Sequence, residues 1–283
     1  MNKIKSFAKV NLFLKVVGKS KNYHNLYSLI SQINLFDEIS IQETSAKKSK
    51  FLFTGPFKIK SEKNTISDLI YLMKKKFLYL KDKNFIVRVK KNIPNGSGLG
   101  GASSNAVTVF KYLKKKYKLK ISYKESLKLL AKIGKDCPLF IDNKVKLIKS
   151  SGERYEKFHH KLNLKLLIIF PNQSISTKKV FNKLNKFSKI SINKKINLAK
   201  KLSLINLCKL YKNDLFAPAS RISKKIIDLS KILDKLDSIL YYSMTGSGSA
   251  FFVICDTKKS LLNIQKMIKK QKKAFWTTIA KTI

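Results

Sequence analysis

Twelve residues, Pro94 to Asn105, read PNGSGLGGASSN, with four glycines ahead of small polar side chains, after which apolar residues recur at helical spacing. Glycines let a backbone turn its N–H groups inward, and the N-terminus of a following helix adds positive potential at the same point. The chemistry on offer is phosphate binding. Gly96, Gly98 and Gly101 satisfy G-x-G-x-x-G, the signature of a dinucleotide turn. That turn normally opens the first βαβ unit and is answered by an acidic residue about twenty positions on. Here about ninety residues come first, and the nearest acid, Glu125, lies in a helical pattern. A Walker loop fails more directly, because Ala102 stands where its lysine belongs. A protein-kinase glycine loop joins two strands, whereas this one enters a helix.

Three other sets of residues could do chemistry. Lys9 and Asn11 lie two apart on an alternating stretch and so share one face, which for such residues is more often a solvated face than a site. Asp136 sits just past a helix end and before Pro138, where an aspartate usually caps a turn. Tyr23 and His24 stand together after a turn at Gly18 to Asn22, and a histidine there is ordinarily a surface residue. An aromatic beside an imidazole can also stack on a base and bond its edge.

These residues need elements to hold them. Val10, Leu12, Leu14 and Val16 alternate with polar residues between Ala8 and Val16, which predicts a half-buried strand. Leu29, Ile33, Ile39 and Ile41 suggest further strands, and the stretch from Phe85 is β-like and runs into the glycine loop. Past the loop, Ala106, Val109, Phe110, Leu113 and Tyr117 keep helical spacing, with Ser103 or Ser104 as N-cap. A second helix is expected over 124–133, ending near Gly134. Helical patterns follow over 177–211 and 221–236, strands over 164–170, 239–243 and 251–255, and a lysine-rich helix over 261–272. The alternation implies an α/β (α+β) protein, with domains 1–158 and 159–283 divided in the polar stretch from Gly152 to His160.

The 283 residues carry 61 lysines and arginines against 16 acidic residues, a net charge of +45. Such a charge points toward nucleic acid or an anionic membrane. Only Arg88, Arg154 and Arg221 are arginines, however, and nucleic-acid readers lean on arginine. A solvated lysine coat, drawn from A- and T-rich codons, is the expected reading. Cys137, Cys208 and Cys255 have no paired spacing and read as free thiols in a reducing cytoplasm. Lys9, Asn11 and Lys15 interrupt any signal-peptide core, and no apolar run approaches the ~18 residues of a membrane span.

The glycine run resembles the phosphate loop of the GHMP kinases, named for galactokinase, homoserine kinase, mevalonate kinase and phosphomevalonate kinase. AKVNLFLKVVGK from Ala8 with YHNLYSLI from Tyr23 resembles the family's first motif, and MTGSGSA from Met244 its third. IGKDCPLFI around Asp136 and NDLFAPA around Asp214 fit as well, so the resemblance spans nearly the whole chain in order. It implies a two-domain fold with the active site in the inter-domain cleft, and ATP and Mg2+ as donor and metal. Pro94, Asn95, Gly96, Ser97, Gly98, Leu99, Gly100, Gly101 and Ala102 would bind ATP, with Ser103 and Ser104 adding hydroxyl bonds or holding the metal. Asn64 resembles the adenine-side asparagine. Asp136 would accept or orient the proton of the accepting hydroxyl, and Lys9 would stand beside it. Asn11 would bond the substrate. The Tyr23–His24 pair, with Phe181 as a second aromatic, would recognise a cytidine, which makes the acceptor a diphosphocytidyl sugar alcohol of isoprenoid precursor synthesis. Homoserine or mevalonate as acceptor, or a polyanion-binding protein without catalysis, stays open. Ser97 and Ala102 depart from the family pattern, as does the missing Asp-Gly before Tyr23. So does Cys137, where alkylation is expected to inactivate by crowding Asp136.

Overall fold

The alternation around Lys9 becomes β1 (Ile4–Ser20) in a computed structural model that describes residues 3–20, 23–59, 64–149, 155–190 and 200–283. Every residue from Ala8 to Leu14 is buried, on both faces of the strand. Lys9 and Asn11 are 3% and 4% exposed, so they are not the solvated face that their types suggest. Two residues of the expected turn, 21–22, lie outside the described residues. Beyond them β2 (Tyr23–Thr44) pairs with β1 as one strand of 22 residues where several short ones are expected.

The chain forms two compact units, each assembled from separate stretches of sequence. One comprises Met1–Ala8, Leu35–Asn95 and Gly100–Asp142, and the other Lys9–Asn34, Gly96–Leu99 and Asn143–Ile283. A single cut between 158 and 159 does not reproduce this division, because β1, β2 and the glycine run each contribute residues to both units.

In the first unit the C-terminal half of β2 pairs antiparallel with β4 (Asn84–Lys90), which pairs parallel with β3 (Lys50–Thr54). Ile39 faces Val89 and Ile41 faces Val87 across the first ladder, so the β-branched side chains of the two strands meet. Three helices pack together: α1 (Thr65–Lys76), α2 (Gly101–Lys116) and α3 (Tyr123–Ile133). Capping boxes start two of them, Asn64 with Ser67 on α1 and Ser122 with Glu125 on α3. A 3-10 turn over Cys137–Phe140 follows α3 and packs on α2 and α3.

In the second unit the N-terminal half of β2 pairs with β5 (Val145–Ile148), and β5 with β6 (Tyr155–Phe158). A separate antiparallel sheet has the order β10-β7-β9-β8, from β7 (Lys165–Phe170), β8 (Ile239–Met244), β9 (Phe251–Cys255) and β10 (Trp276–Lys281). The helical pattern over 177–211 resolves into α4 (Thr177–Asn182) and α5 (Lys201–Tyr211), with 191–199 outside the described residues. Next come α6 (Phe216–Ser220), α7 (Lys224–Leu233) and α8 (Lys258–Gln271). Ile226, Leu229 and Leu233 of α7 and Leu261, Ile264 and Ile268 of α8 recur at helical spacing and share one buried core with Leu167, Ile169, Phe251 and Val253 of the sheet. The protein is therefore of the mixed α/β class. Among the described residues no helix is long and apolar enough to cross a membrane.

Candidate functional site

In the first unit β4 leads toward the glycine run and α2 leaves it, the strand, turn and helix that a phosphate loop requires. The N-cap of α2 is Gly100, in left-handed backbone at φ 73°, and not Ser103 or Ser104. Gly100 has no side chain with which to occupy the first N–H groups of the helix, so it leaves them for a ligand. Ser104 is buried and shares a hydrogen bond with Ser6 (Oγ to Oγ, 2.8 Å), which makes it a structural residue, whereas Ser103 is partly exposed. The Asn64 carboxamide oxygen caps α1, accepting from the backbone N–H groups of Ile66 (2.9 Å) and Ser67 (3.1 Å). Next to it Thr65 Oγ1 donates to the Ala102 carbonyl at 2.9 Å, so the start of α1 is tied to the first turn of α2. Asn95 Nδ2 donates to the Phe57 carbonyl at 2.6 Å, which fixes the entry to the run.

A buried cluster anchors this region from behind. Asp37 of β2 pairs with Lys91, its Oδ1 accepts from the N–H groups of Asn92 (2.7 Å) and Ile93 (2.8 Å), and Asn105 Nδ2 donates to its Oδ2 at 3.0 Å. Asp37 is fully buried and Lys91 is 2% exposed. The sequence reading did not single out this cluster. Asn105, at the end of the glycine run, was the one signal that could have led to it.

Asp136 occupies the N-cap position of the 3-10 turn, yet its side chain makes no capping hydrogen bond there. The neighbouring Cys137 is fully buried, and burial pushes its thiol up to about 12, against a hydrogen bond from Ser103 that acts the other way. The Ser103 contact draws the first turn of α2 to the 136–137 turn. A thiol so placed is neither ionised nor reachable at neutral pH, which overturns the expectation that alkylation there inactivates the protein.

In the second unit Lys9 donates to Asn11 Oδ1, Asn11 Nδ2 donates to Ser28 Oγ (2.9 Å), and Ser28 donates to the Phe13 carbonyl (2.6 Å). The Asn11 backbone N–H donates to Thr245 Oγ1 at 3.0 Å. Both polar ends of the Asn11 carboxamide are thus engaged in orienting the buried Lys9 ammonium. Residues 96–99 of the glycine run belong to this unit, and Lys9 N–H donates to the Leu99 carbonyl at 2.9 Å. Gly98, at φ +80°, runs so close to the MTGSGSA turn that a Cβ would fall 2.1 Å from the Thr245 carbonyl oxygen. The Ala250 N–H closes the contact by donating to the Ser97 carbonyl at 3.0 Å. Gly246 lies against Lys9, where a Cβ would meet its Nζ at 3.2 Å. Two stretches far apart in sequence, 96–99 and 244–250, thus frame one lysine.

His24 lies against Phe181, stacked at 4.6 Å between ring centroids, and 6.2 Å from Phe187, while Tyr23 is half exposed. Burial first, and the charge of Lys19 second, lower the His24 pKa, so the ring is neutral at pH 7 and offers one donor and one acceptor. Phe187 and Thr245 had gone unnoticed in the sequence. Phe187 stands in a stretch without a motif, and Thr245 is hidden inside a glycine motif.

Residues 64–141 match the GHMP kinases N terminal domain. The chain is 35% identical over 282 residues to the 4-diphosphocytidyl-2-C-methyl-D-erythritol kinase of Pelagibacter ubique (strain HTCC1062), covering 99% of each sequence. It is 33% identical to the enzyme of that name from Buchnera aphidicola subsp. Schizaphis graminum (strain Sg), over 92% of this chain and 87% of that one. Its fold is similar to a crystal structure of 4-(cytidine 5'-diphospho)-2C-methyl-D-erythritol kinase, with a TM-score of 0.76 and 23% identity over 99% of both chains.

Proposed function

This chain belongs to the 4-diphosphocytidyl-2-C-methyl-D-erythritol kinase family of the GHMP kinases, and from that premise we propose that it transfers the γ-phosphoryl group of ATP to the 2-hydroxyl of that alcohol in the cytoplasm. The single observation that carries the choice of acceptor is the neutral His24 stacked on Phe181. A cytosine needs a π-face and a donor and an acceptor along its edge, and neither homoserine nor mevalonate has a use for such a pair. Tyr23 and Phe181 would take the two faces of the base. For His24 to bond the edge while Phe181 stacks, the imidazole has to swing off the Phe181 face that it covers.

The N–H groups at the start of α2 and of residues 96–101 would hold the ATP phosphates, with no lysine in the run. Asn64, tied to the same helix end, would serve the adenine side. Asp136 would take the proton of the tertiary hydroxyl as its oxygen attacks the γ-phosphorus, the bond to the β-phosphate oxygen breaks, and ADP departs with the electron pair. Lys9, held by Asn11, would offset the charge gathering on the transferring group. Mg2+ fits the oxygen donors of Ser103 and Asp136, which share the first unit, since this hard ion keeps phosphate and water ligands and needs few from protein. Bound there with ATP, it would neutralise phosphate charge.

ATP consumption against a panel of the diphosphocytidyl alcohol, homoserine, mevalonate and galactose tests the reading. Turnover is expected with the first alone. Turnover with another member and none with the first would overturn the acceptor while leaving the kinase chemistry standing.

A further inference from the structure

The NDLFAPA stretch remains without a function once the phosphate loop, Lys9, Asp136 and the aromatic residues are accounted for. Its aspartate sits at a junction of three segments. Asp214 Oδ1 pairs with Lys15 Nζ at 2.5 Å, while Oδ2 accepts both from the Val16 backbone N–H at 2.8 Å and from Ser188 Oγ at 2.8 Å. Backbone bonds lock the same junction. Asp214 N–H donates to the Leu14 carbonyl, Leu14 N–H to the Lys212 carbonyl, and Ser188 N–H to the Val16 carbonyl, each at 2.8 Å. Lys15 and Val16 lie on β1 ahead of the residues that lead to His24, and Ser188 directly follows Phe187. The stretch from Phe181 to Ser188 has little regular structure of its own after α4 ends at Asn182, so it depends on such anchors for its position. Asn213 faces the other way. Its Nδ2 donates to the carbonyls of Met244 (2.6 Å) and Gly246 (3.0 Å), the turn that lies against Lys9.

We propose that Asp214 is a specificity-determining positioning residue: its carboxylate clamps the Ser188 segment to β1 and so keeps Phe181 and Phe187 beside His24, in place to take the base as the imidazole moves to its edge. This deepens the cytidine reading and rests on it for the identity of the ligand. A carboxylate suits the task because it accepts several charge-assisted bonds from different directions at once. Removing it frees the anchor of the aromatic segment without touching Lys9 or the glycine run.

The test compares wild type with Asp214→Ala and with Ser188→Ala, which removes one arm of the clamp and is the milder change for folding. Two readouts are taken on folded protein: steady-state kinetics, and the pH titration of the His24 imidazole by NMR. Asp214→Ala is expected to raise KM for the diphosphocytidyl alcohol about tenfold or more, with kcat and the KM for ATP changed less than about threefold, and Ser188→Ala to move the same quantity less. The His24 titration should rise toward the ordinary histidine value as the rings part. Equal rises in both KM values, or a His24 titration unmoved in both variants, would overturn the clamp. If wild type does not turn over the cytidine substrate, the acceptor reading fails, and the His24 titration alone then decides for or against the clamp.

Discussion

His24 is held neutral by burial and by Lys19, and the consequence for binding has a definite sign. A depressed pKa keeps the ring unprotonated at pH values where a free histidine, at 6.5, already takes up its proton. The KM for the alcohol is therefore expected to climb on acidification at lower pH than an ordinary histidine would make it. His24→Ala should abolish that climb. The same substitution should raise KM far more than Asp136→Asn does, while Asp136→Asn lowers kcat by about 10²–10⁴. The contribution of His24 to stability runs in the same direction, present above the ordinary value and lost as pH falls through the depressed one. Cys137, Cys208 and Cys255 are all buried, and burial raises each thiol, the first two to about 12 and Cys255 to about 11. Native protein is thus expected to resist iodoacetamide at pH 8, with activity retained, whereas denatured protein labels at all three; rapid labelling of Cys137 with loss of activity would contradict this burial. At this scale the sequence spoke through motifs. Lys9 and Asp136 could be picked out only because their surroundings resembled a family, since a lysine on a strand and an aspartate before a turn look ordinary by themselves. Phe187 and Ser188 could not be picked out at all, because their role comes from contacts with β1 and Asp214 that no local pattern encodes.

Elements with a clean period were legible, and those defined by long-range pairing were not. α3 follows its expected 124–133 span to within a residue, because Ser122 and Glu125 cap it and Gly134 ends it. β2 looked like several strands because Gln32 and Asn34 interrupt its apolar alternation, yet pairing with β1, β4 and β5 keeps it whole. β10 went unseen behind the lysines at the end of α8, and its place is set by antiparallel pairing with β7. The Asp37 cluster is likewise a pairing between elements, and it yields a stability prediction. Asp37→Ala strands a buried lysine, so it is expected to cost about 3–5 kcal/mol in urea unfolding. Replacing Asp37 and Lys91 together with apolar residues should recover much of that loss, and an undiminished loss in the double variant would contradict the account.

Over the whole molecule the dominant quantity is a net charge of +45. Its lysines form surface pairs such as Lys83 with Glu43 and Lys76 with Glu125, and pairs of this kind contribute little individually. The charge is expected to act instead as a field on anionic substrates. kcat/KM is expected to fall with added salt while kcat holds, and binding to random duplex should be weak at about 0.15 M salt. Charge alone points toward nucleic acid as readily as toward anionic substrates, and fold class alone admits many functions. The combination proposed to carry that one reaction is a glycine loop without a lysine, a buried lysine supplied by β1, and an imidazole stacked on an aromatic ring. The most direct measurement is 31P NMR of the protein with ATP and 4-diphosphocytidyl-2-C-methyl-D-erythritol. One new phosphomonoester on the tertiary 2-hydroxyl, formed in step with ADP and absent with Asp136→Asn, is the predicted result; ADP released without that ester, or phosphate carried to a different hydroxyl, would contradict it.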